Sequence, residues 1–251
     1  MSKFRRTLAA VSLAAAVASL AFHTALAEGR PVIRGAFIEF PPLAYTTDTG
    51  DVEGTFIDLS EEVADRAGYD ITWQELPIER VYLYLKQGEI DMWLGSAGVP
   101  ELAPYTRETD FHTGSIRLNA YSREGADRIS TLDDLQGKSL ILIRGYTYWR
   151  LLDPLKEDPE TRVTIAPSHL SAIRMLAFKR GDYLINFQSP MDNLLQDFPM
   201  PGLQYDNLLK WPLTLIFSRE APDTERMIEA LNSAWDTMQE STEMIGQESQ
   251  P

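Results

Sequence analysis

The chain of 251 residues contains no cysteine. Disulfides, zinc–thiolate sites, iron–sulfur clusters and thiol nucleophiles are thereby excluded. Histidine is scarce, with only His23, His112 and His169 present, which leaves too few for a histidine-rich metal site. Basic residues are in deficit: Lys+Arg is 23 against Asp+Glu 37, a net charge of −14. So acidic a chain argues against nucleic acid, whose phosphates need a basic face, and equally against an anionic membrane surface. Beyond the first residues no hydrophobic run reaches spanning length. No Ser-His-Asp order, histidine-metal spacing or glycine-rich phosphate loop stands out. What remains is 44% hydrophobic and 24% charged, the mixture of a globular protein. The length suits one large domain or two of about 100–200 residues.

The N-terminus runs from Lys3, Arg5 and Arg6 through an apolar stretch, Leu8 to Phe22, to Ala25-Leu26-Ala27. A basic start, an apolar middle and a small-x-small end are the parts of a cleavable secretory signal peptide. Residues 1–27 are read as that signal, with Glu28 first in the exported protein. The apolar stretch is too short, and too rich in Ala and Ser, for a good membrane span.

Beyond it the pattern alternates between the two regular periods. Val32 to Phe37, Ile71 to Leu76 and Ile90 to Leu94 read as strands. Between them Phe56, Leu59, Val63 and Ala67 recur at helical spacing before Gly68, and a second helix with Val81 and Leu85 stops at Gly88. The grammar then restarts. Ser139 to Ile143, Val163 to Ala166 and Tyr183 to Phe187 are strands. A helix is expected through Leu151 and Leu152, and another after Ser168, whose hydroxyl suits an N-cap. Such β-α-β order favours parallel sheets covered by helices. Ser115 to Tyr121 and Pro212 to Phe217 are strands outside either run, read as crossovers. A long helix with Met227, Ile228, Leu231, Trp235 and Met238 on one face follows, with Pro222 expected in its first turn. The tail from Gly246 is polar. The organisation is therefore α/β and two-lobed: residues 28–117 form a first lobe, 118–211 a second, and 212–251 return to the first. Two crossover strands form the hinge, an arrangement suited to closing over something small.

Particular strings carry a resemblance. They are Phe40-Pro41-Pro42-Leu43-Ala44-Tyr45, Gly50, Gly54-Thr55-Phe56-Ile57-Asp58-Leu59, Gly68, Pro77, Arg80 and Gly88-Glu89-Ile90-Asp91. Leu132 to Lys138, Arg144-Gly145-Tyr146-Thr147 and Arg180-Gly181-Asp182 follow in order. In order and spacing the chain resembles the bacterial family 3 extracellular solute-binding proteins. The resemblance implies a type II periplasmic binding protein, or venus-flytrap. It also implies a small polar solute held between the lobes and delivery to the membrane permease of an ABC transporter. The implied location is the periplasm. Relatives that bind amino acids place an Arg where this chain has Leu102, and an Asp where it has Phe187. Both charge partners of a zwitterion are thus missing, and an unpartnered buried charge is costly. The chain is a divergent member, and a standard α-amino acid in the standard pose is disfavoured.

Candidate ligand-binding residues follow from where strands end. Phe40 and Tyr45 flank the Pro-Pro loop. Trp93 could stack on a planar or cationic solute, and Ser96 with Ala97 could offer a hydroxyl and N–H groups to an anion. Arg80 could pair bidentately with an acidic group. Arg144, Tyr146, Thr147 and Tyr148 combine a charge, aromatic walls and an expected helix N-terminus, which favours anions. Gln188 could donate and accept. No metal, cofactor or nucleic acid is expected, and the protein is read as a monomer. The chain is read as a receptor and not an enzyme. An enzyme on the same fold, of the cyclohexadienyl-dehydratase kind, would need Glu39 or Glu75 as a cleft acid. A soluble receptor feeding a membrane sensor is the other alternative.

Overall fold

A computed structural model of the chain describes residues 29–248. The expected signal peptide, residues 1–27, lies outside the described residues. From Val32 onward the chain forms one compact unit. Eleven strands and six α-helices make it up: β1 (Val32–Phe37), β2 (Tyr45–Thr46), β3 (Val52–Glu53), α1 (Thr55–Ala67), β4 (Asp70–Glu75), α2 (Ile78–Gln87), β5 (Met92–Ser96), β6 (Thr106–Glu108) and β7 (Gly114–Arg123). There follow β8 (Ser139–Ile143), α3 (Asp153–Glu157), β9 (Arg162–Ala166), α4 (His169–Ala177), β10 (Tyr183–Phe187), α5 (Gln188–Asp197), β11 (Leu203–Ser218) and α6 (Thr224–Glu248).

One sheet runs β4-β1-β5-β11-β7-β10-β8-β9, with β6 paired to β11. At one end β1 is parallel to β4 and β5; at the other β8 is parallel to β9 and β10. The antiparallel pair β7 and β11 joins them, in register from Gly114↔Leu213 to Arg123↔Leu203 with a shift between Asn207 and Leu209. β11 passes from β7 to β5 at Leu213. This is the two-lobed α/β architecture with two crossover strands.

Local chemistry explains most boundaries. Gly68 and Gly88 end α1 and α2 with φ of 85° and 69°, the left-handed region glycine enters freely. Ser168 Oγ accepts from Ser171 N–H at 3.2 Å and opens α4. The α1 and α6 faces pack on the β1–β5 end around Phe37, Met92, Phe217 and Leu231. In that half the Asp91 carboxylate is nearly buried. It accepts from Arg34 N–H at 2.8 Å and from the Arg34 guanidinium at 2.5 Å. In the other half buried Asp206 takes Arg128 and the Ile129 N–H.

Several expectations are revised. No α-helix begins after Thr147. Tyr148–Arg150 is a single tight turn whose three residues have φ of 50°, 51° and 60°, and the helix waits until Asp153. β11 begins at Leu203, nine residues before Pro212, because β7 pairs with it throughout. Pro222 precedes α6, which starts at Thr224 after Asp223 at φ 57°. The helix continues through Gly246 to Glu248, further than the polar tail suggests. The β2–β3 hairpin, β6 and α5 carry no strong period and are found only in the structure.

Candidate functional site

The carboxyl ends of β1, β5, β8 and β10 converge on one cleft. Ile38 and Phe40 reach it from the segment after β1, Trp93 and Ser96 from β5 itself, Gly145 to Trp149 from the turn after β8, and Phe187 from the end of β10. Carboxyl ends of strands are where open α/β sheets bind ligands, because the chain there leaves the sheet and frees side chains to converge.

The lining is aromatic. Phe187 contacts Phe40 at 5.2 Å between ring centroids, Tyr146 at 5.4 Å, Trp149 at 5.4 Å and Tyr148 at 6.0 Å. Phe40 belongs to the first half of the chain and the other four to the second, so the rings bridge the cleft. Trp149 in turn stacks on Trp211 of β11 at 5.0 Å, and Trp211 Nε1 donates to the Ala97 carbonyl at 2.6 Å. Across the cleft Trp93 meets Tyr82 edge-on at 5.7 Å. Burial pushes the Tyr82 phenol up to about 12, so it stays neutral. Among the described residues no Asp, Glu, Lys, Arg or His lines this cleft, though the grooves beside it share part of its lining and carry such groups.

The turn that carries Tyr148 and Trp149 is strained. Left-handed conformations cost a non-glycine residue roughly 1–2 kcal/mol each, and three occur in succession. Tyr148 is what holds the turn. Its hydroxyl accepts from Ile143 N–H at 2.7 Å and donates to the Ile185 carbonyl at 3.2 Å, tying it to β8 and β10. Strain of this kind persists only where the surroundings over-determine it, and it concentrates at functional sites.

Of the residues singled out from sequence, Phe40, Trp93, Ser96, Tyr146, Thr147 and Tyr148 come together in the cleft. The Tyr148 hydroxyl is already committed, so only its ring is available. Tyr45, Arg80, Arg144 and Gln188 lie outside it. Tyr45 sits on β2 and donates to Glu53 at 3.1 Å. Arg80 is exposed on α2. Gln188 opens α5 and donates to Asp192 one turn on, at 3.1 Å. Arg144 is exposed in a neighbouring groove that it shares with Glu39, Glu75, Glu79 and His169. Three carboxylates beside one guanidinium do not make that groove an anion site. The helix N-terminus expected after Thr147 is not there; the helices that begin at this groove are α2 at Ile78, with Glu79 in its first turn, and α4 at His169, whose Ser171 N–H is already taken by Ser168 Oγ.

The loop after β5 changes for a similar reason. The Ala97 N–H donates to the Pro212 carbonyl at 3.0 Å, and the Gly98 N–H to the Glu108 carboxylate at 2.8 Å. The N–H groups considered for an external anion are therefore used internally. Leu102 is fully buried with Val99 and Ile216, and Phe187 is buried at the centre of the ring cluster. Sequence reasoning missed Tyr82, Trp149, Phe56 and Leu43, which also line the cleft. The doubled aromatics Tyr148-Trp149 were a usable signal; Tyr82 and Phe56 were hidden by helical periodicity. Among the described residues no cluster of His, Asp or Glu could hold a metal ion.

A chain whose two parallel-stranded ends are joined by paired crossover strands, with a cleft at the strand ends, has the fold of a periplasmic binding protein. The model of the bacterial extracellular solute-binding proteins, family 3, matches residues 33–245, and the chain belongs to that family. Solved structures agree on the fold. A histidine kinase sensor domain with similarity to periplasmic binding proteins is 18% identical with a TM-score of 0.69, covering 85% of this chain and 93% of that one. An ancestral arginine-binding protein bound to arginine is 18% identical with a TM-score of 0.66, covering 85% and 94%. The substrate-binding protein of an amino acid ABC transporter is 16% identical with a TM-score of 0.63, covering 84% and 95%. A search of curated proteins finds no match.

Proposed function

We propose that the protein is an exported receptor that captures a small solute in the ring-lined cleft and presents it to a membrane partner, the permease of an ABC transporter. The observation that carries this is the bridging of the cleft by Phe40 from one half and Phe187, Tyr146 and Trp149 from the other. A solute held there touches both halves at once, so binding favours the closed arrangement. In this reading residues 28–117 with 212–251 form one lobe and 118–211 the other, and they rotate about the paired strands β7 and β11. Residues 1–27 direct export to the periplasm. Among the described residues the lining offers no carboxylate, lysine or histidine to act on a substrate, which supports binding over catalysis; Glu39 and Glu75 lie in the neighbouring groove.

The test is a thermal-shift screen of protein unfolded and refolded to remove co-purified solute. A solute at about 100 times its dissociation constant stabilises by roughly 2.7 kcal/mol, which is about 5–11 °C for a chain of this size. Uptake of the hit by cells with and without the gene then tests delivery. Unchanged uptake, with binding intact, would replace the permease by a membrane sensor.

A further inference from the structure

Resting on the receptor reading above and its division into lobes, we infer that the lobes are drawn shut by opposite charge: an acidic rim on the first lobe faces a basic rim on the second, and their attraction sets how readily the cleft closes. The rims are the walls of the two grooves that flank the ring-lined cleft and share part of its lining. Sorted by lobe, their charges separate. Glu39, Glu75, Glu79 and Glu101 all come from the first lobe. Arg144, Arg150 and Lys156 all come from the second, where Asp153 is the one carboxylate among the described lining residues. Arg150 Nε and Lys156 Nζ both donate to Asp153, at 3.0 and 2.8 Å, so two cations share one anion and a positive charge is left over.

The same asymmetry runs through the whole chain. Residues 28–117 with 212–251 hold 9 Lys and Arg against 25 Asp and Glu, a net charge of −16. Residues 118–211 hold 11 against 12, a net charge of −1. Charge of one sign on the first lobe repels itself, and the approach of a positive rim relieves that repulsion. The fields already cross the cleft in this structure. The Arg150 guanidinium is held above its ordinary pKa range, first by Asp153 and then by Glu101 of the opposite lobe. The Tyr146 phenol of the second lobe is pushed up by burial first and then by Glu39 of the first lobe.

Among the described residues the ion pairs of the rims lie within the second lobe, on Asp153. The attraction between the lobes therefore acts through space and is collective. An exposed pair taken singly contributes little, so no one residue decides closure and the sum of the two rims does. This role does not require any of these charges to touch the solute. A term that favours the closed arrangement raises the affinity for whatever the cleft holds.

The chain has no cysteine. Thr72→Cys and Thr164→Cys, exposed on the two outermost strands β4 and β9, therefore take a donor and an acceptor dye with no other point of attachment. Single-molecule energy transfer reads the distance between the lobes, and circular dichroism checks that each variant is folded. The probe is sodium chloride: the screening length falls from about 30 Å at about 0.01 M to about 3 Å at about 1 M. Over that range the ratio of closed to open molecules is expected to fall about fivefold, whereas closure by ring contacts alone would not weaken. Arg150→Glu with Lys156→Glu should lower the ratio about tenfold at low salt, and Glu79→Lys with Glu101→Lys likewise. All four substitutions together restore opposite signs and should bring the ratio back to within about threefold of the parent, a rescue that a merely structural role would not give. Two populations whose ratio ignores salt and both swaps, or a quadruple variant as open as either swap, would overturn closure by charge and leave the receptor reading standing. One fixed distance at every salt concentration and in every variant would overturn it too, and with it the lobe closure on which the receptor reading relies.

Discussion

The ring-lined cleft and the groove beside it share Ile38, Ile78, Gly145 and Tyr146, yet their remaining lining is opposite in kind. One holds Phe40, Trp93, Trp149 and Phe187; the other holds Glu39, Glu75, Glu79, Arg144 and His169. The segregation is made within two short stretches, an extended one after β1 and a turn after β8. After β1, Phe40 turns to the cleft while its neighbours Glu39 and Pro41 line the groove. After β8, Arg144 lines the groove and the residues from Thr147 to Trp149 the cleft, with Gly145 and Tyr146 at the border. Successive residues of an extended chain point to opposite sides, so Glu39 and Phe40 part after β1, while after β8 the turn at Gly145 and Tyr148–Arg150 does the separating. Net acidity therefore says nothing about the site: the charges lie next to the cleft and not in it.

The largest way to break this contrast is Phe187→Ala. The ring is 6% exposed and touches Phe40, Tyr146, Tyr148 and Trp149. Its loss leaves a cavity under four aromatic neighbours and should cost about 3–5 kcal/mol, read from urea unfolding. A cost below 1 kcal/mol would mean that the rings do not form a packed wall.

A smaller effect is expected where the cleft depends on glycine. Gly95→Ala puts a Cβ within 2.5 Å of three Trp93 ring atoms. The indole must move, at roughly 1–3 kcal/mol, and tryptophan fluorescence should change with it. Gly145→Ala tests the border between cleft and groove. Nothing lies near its Cβ, but its φ is 83°. Here the cost is conformational alone, about 1–2 kcal/mol, and the fluorescence should stay as it is. Equal spectral changes in both variants would contradict the seat of Trp93 on Gly95.

These two glycines show what could be read from sequence. Gly68 and Gly88 announce helix ends because they follow a completed apolar period, and they end α1 and α2 as expected. Strands β8 and β10 are dense apolar runs with the same limits in sequence and structure. Gly95 is different. Its reason is the ring of Trp93 two residues earlier on the same strand face, a contact that depends on a rotamer and not on a period. Likewise Arg144 stands beside the aromatic residues in sequence, but the turn at Tyr148–Arg150 has three left-handed residues where a helix was expected. Backbone conformations of that kind leave no composition signal, so the charge and the rings were read as one site. Trp93 was legible as a candidate; its seat on Gly95 was not.

At the border itself the contrast acquires a pH dependence. His169 joins the groove to the cleft wall through Tyr146. Burial lowers its pKa below the ordinary value of 6.5. The unfolded chain then binds a proton first as pH falls, so the fold is at full strength above about pH 6.5 and loses stability below it, until the folded pKa is passed. The loss cannot exceed about 1.4 kcal/mol per pH unit for one group. Unfolding in urea at pH 7.5 and pH 5.5 should show a decline in the wild type and a shallower one in His169→Gln. The hydrogen-bonded carboxylates Asp134, Asp153 and Asp158 have lowered pKa values, so their contribution fails at more acid pH and in a separate window. An identical decline in His169→Gln would remove His169 as its source.

The smallest effect should come from the residue that sequence reasoning valued most. Arg144 is exposed, and its groove already holds Glu39, Glu75 and Glu79. An exposed ion pair contributes about 0–1 kcal/mol. Arg144→Ala should therefore change stability by no more than about 0.5 kcal/mol. Had the guanidinium been the anchor of an anionic solute, its removal would weaken binding by roughly 2–4 kcal/mol through lost charge-assisted bonds. With the guanidinium outside the cleft, the affinity for the solute found by the thermal-shift screen should stay within twofold by calorimetry. A loss of the larger size would show that Arg144 swings into the cleft when the lobes close, and the division between charged groove and uncharged cleft would then hold only for the protein without solute.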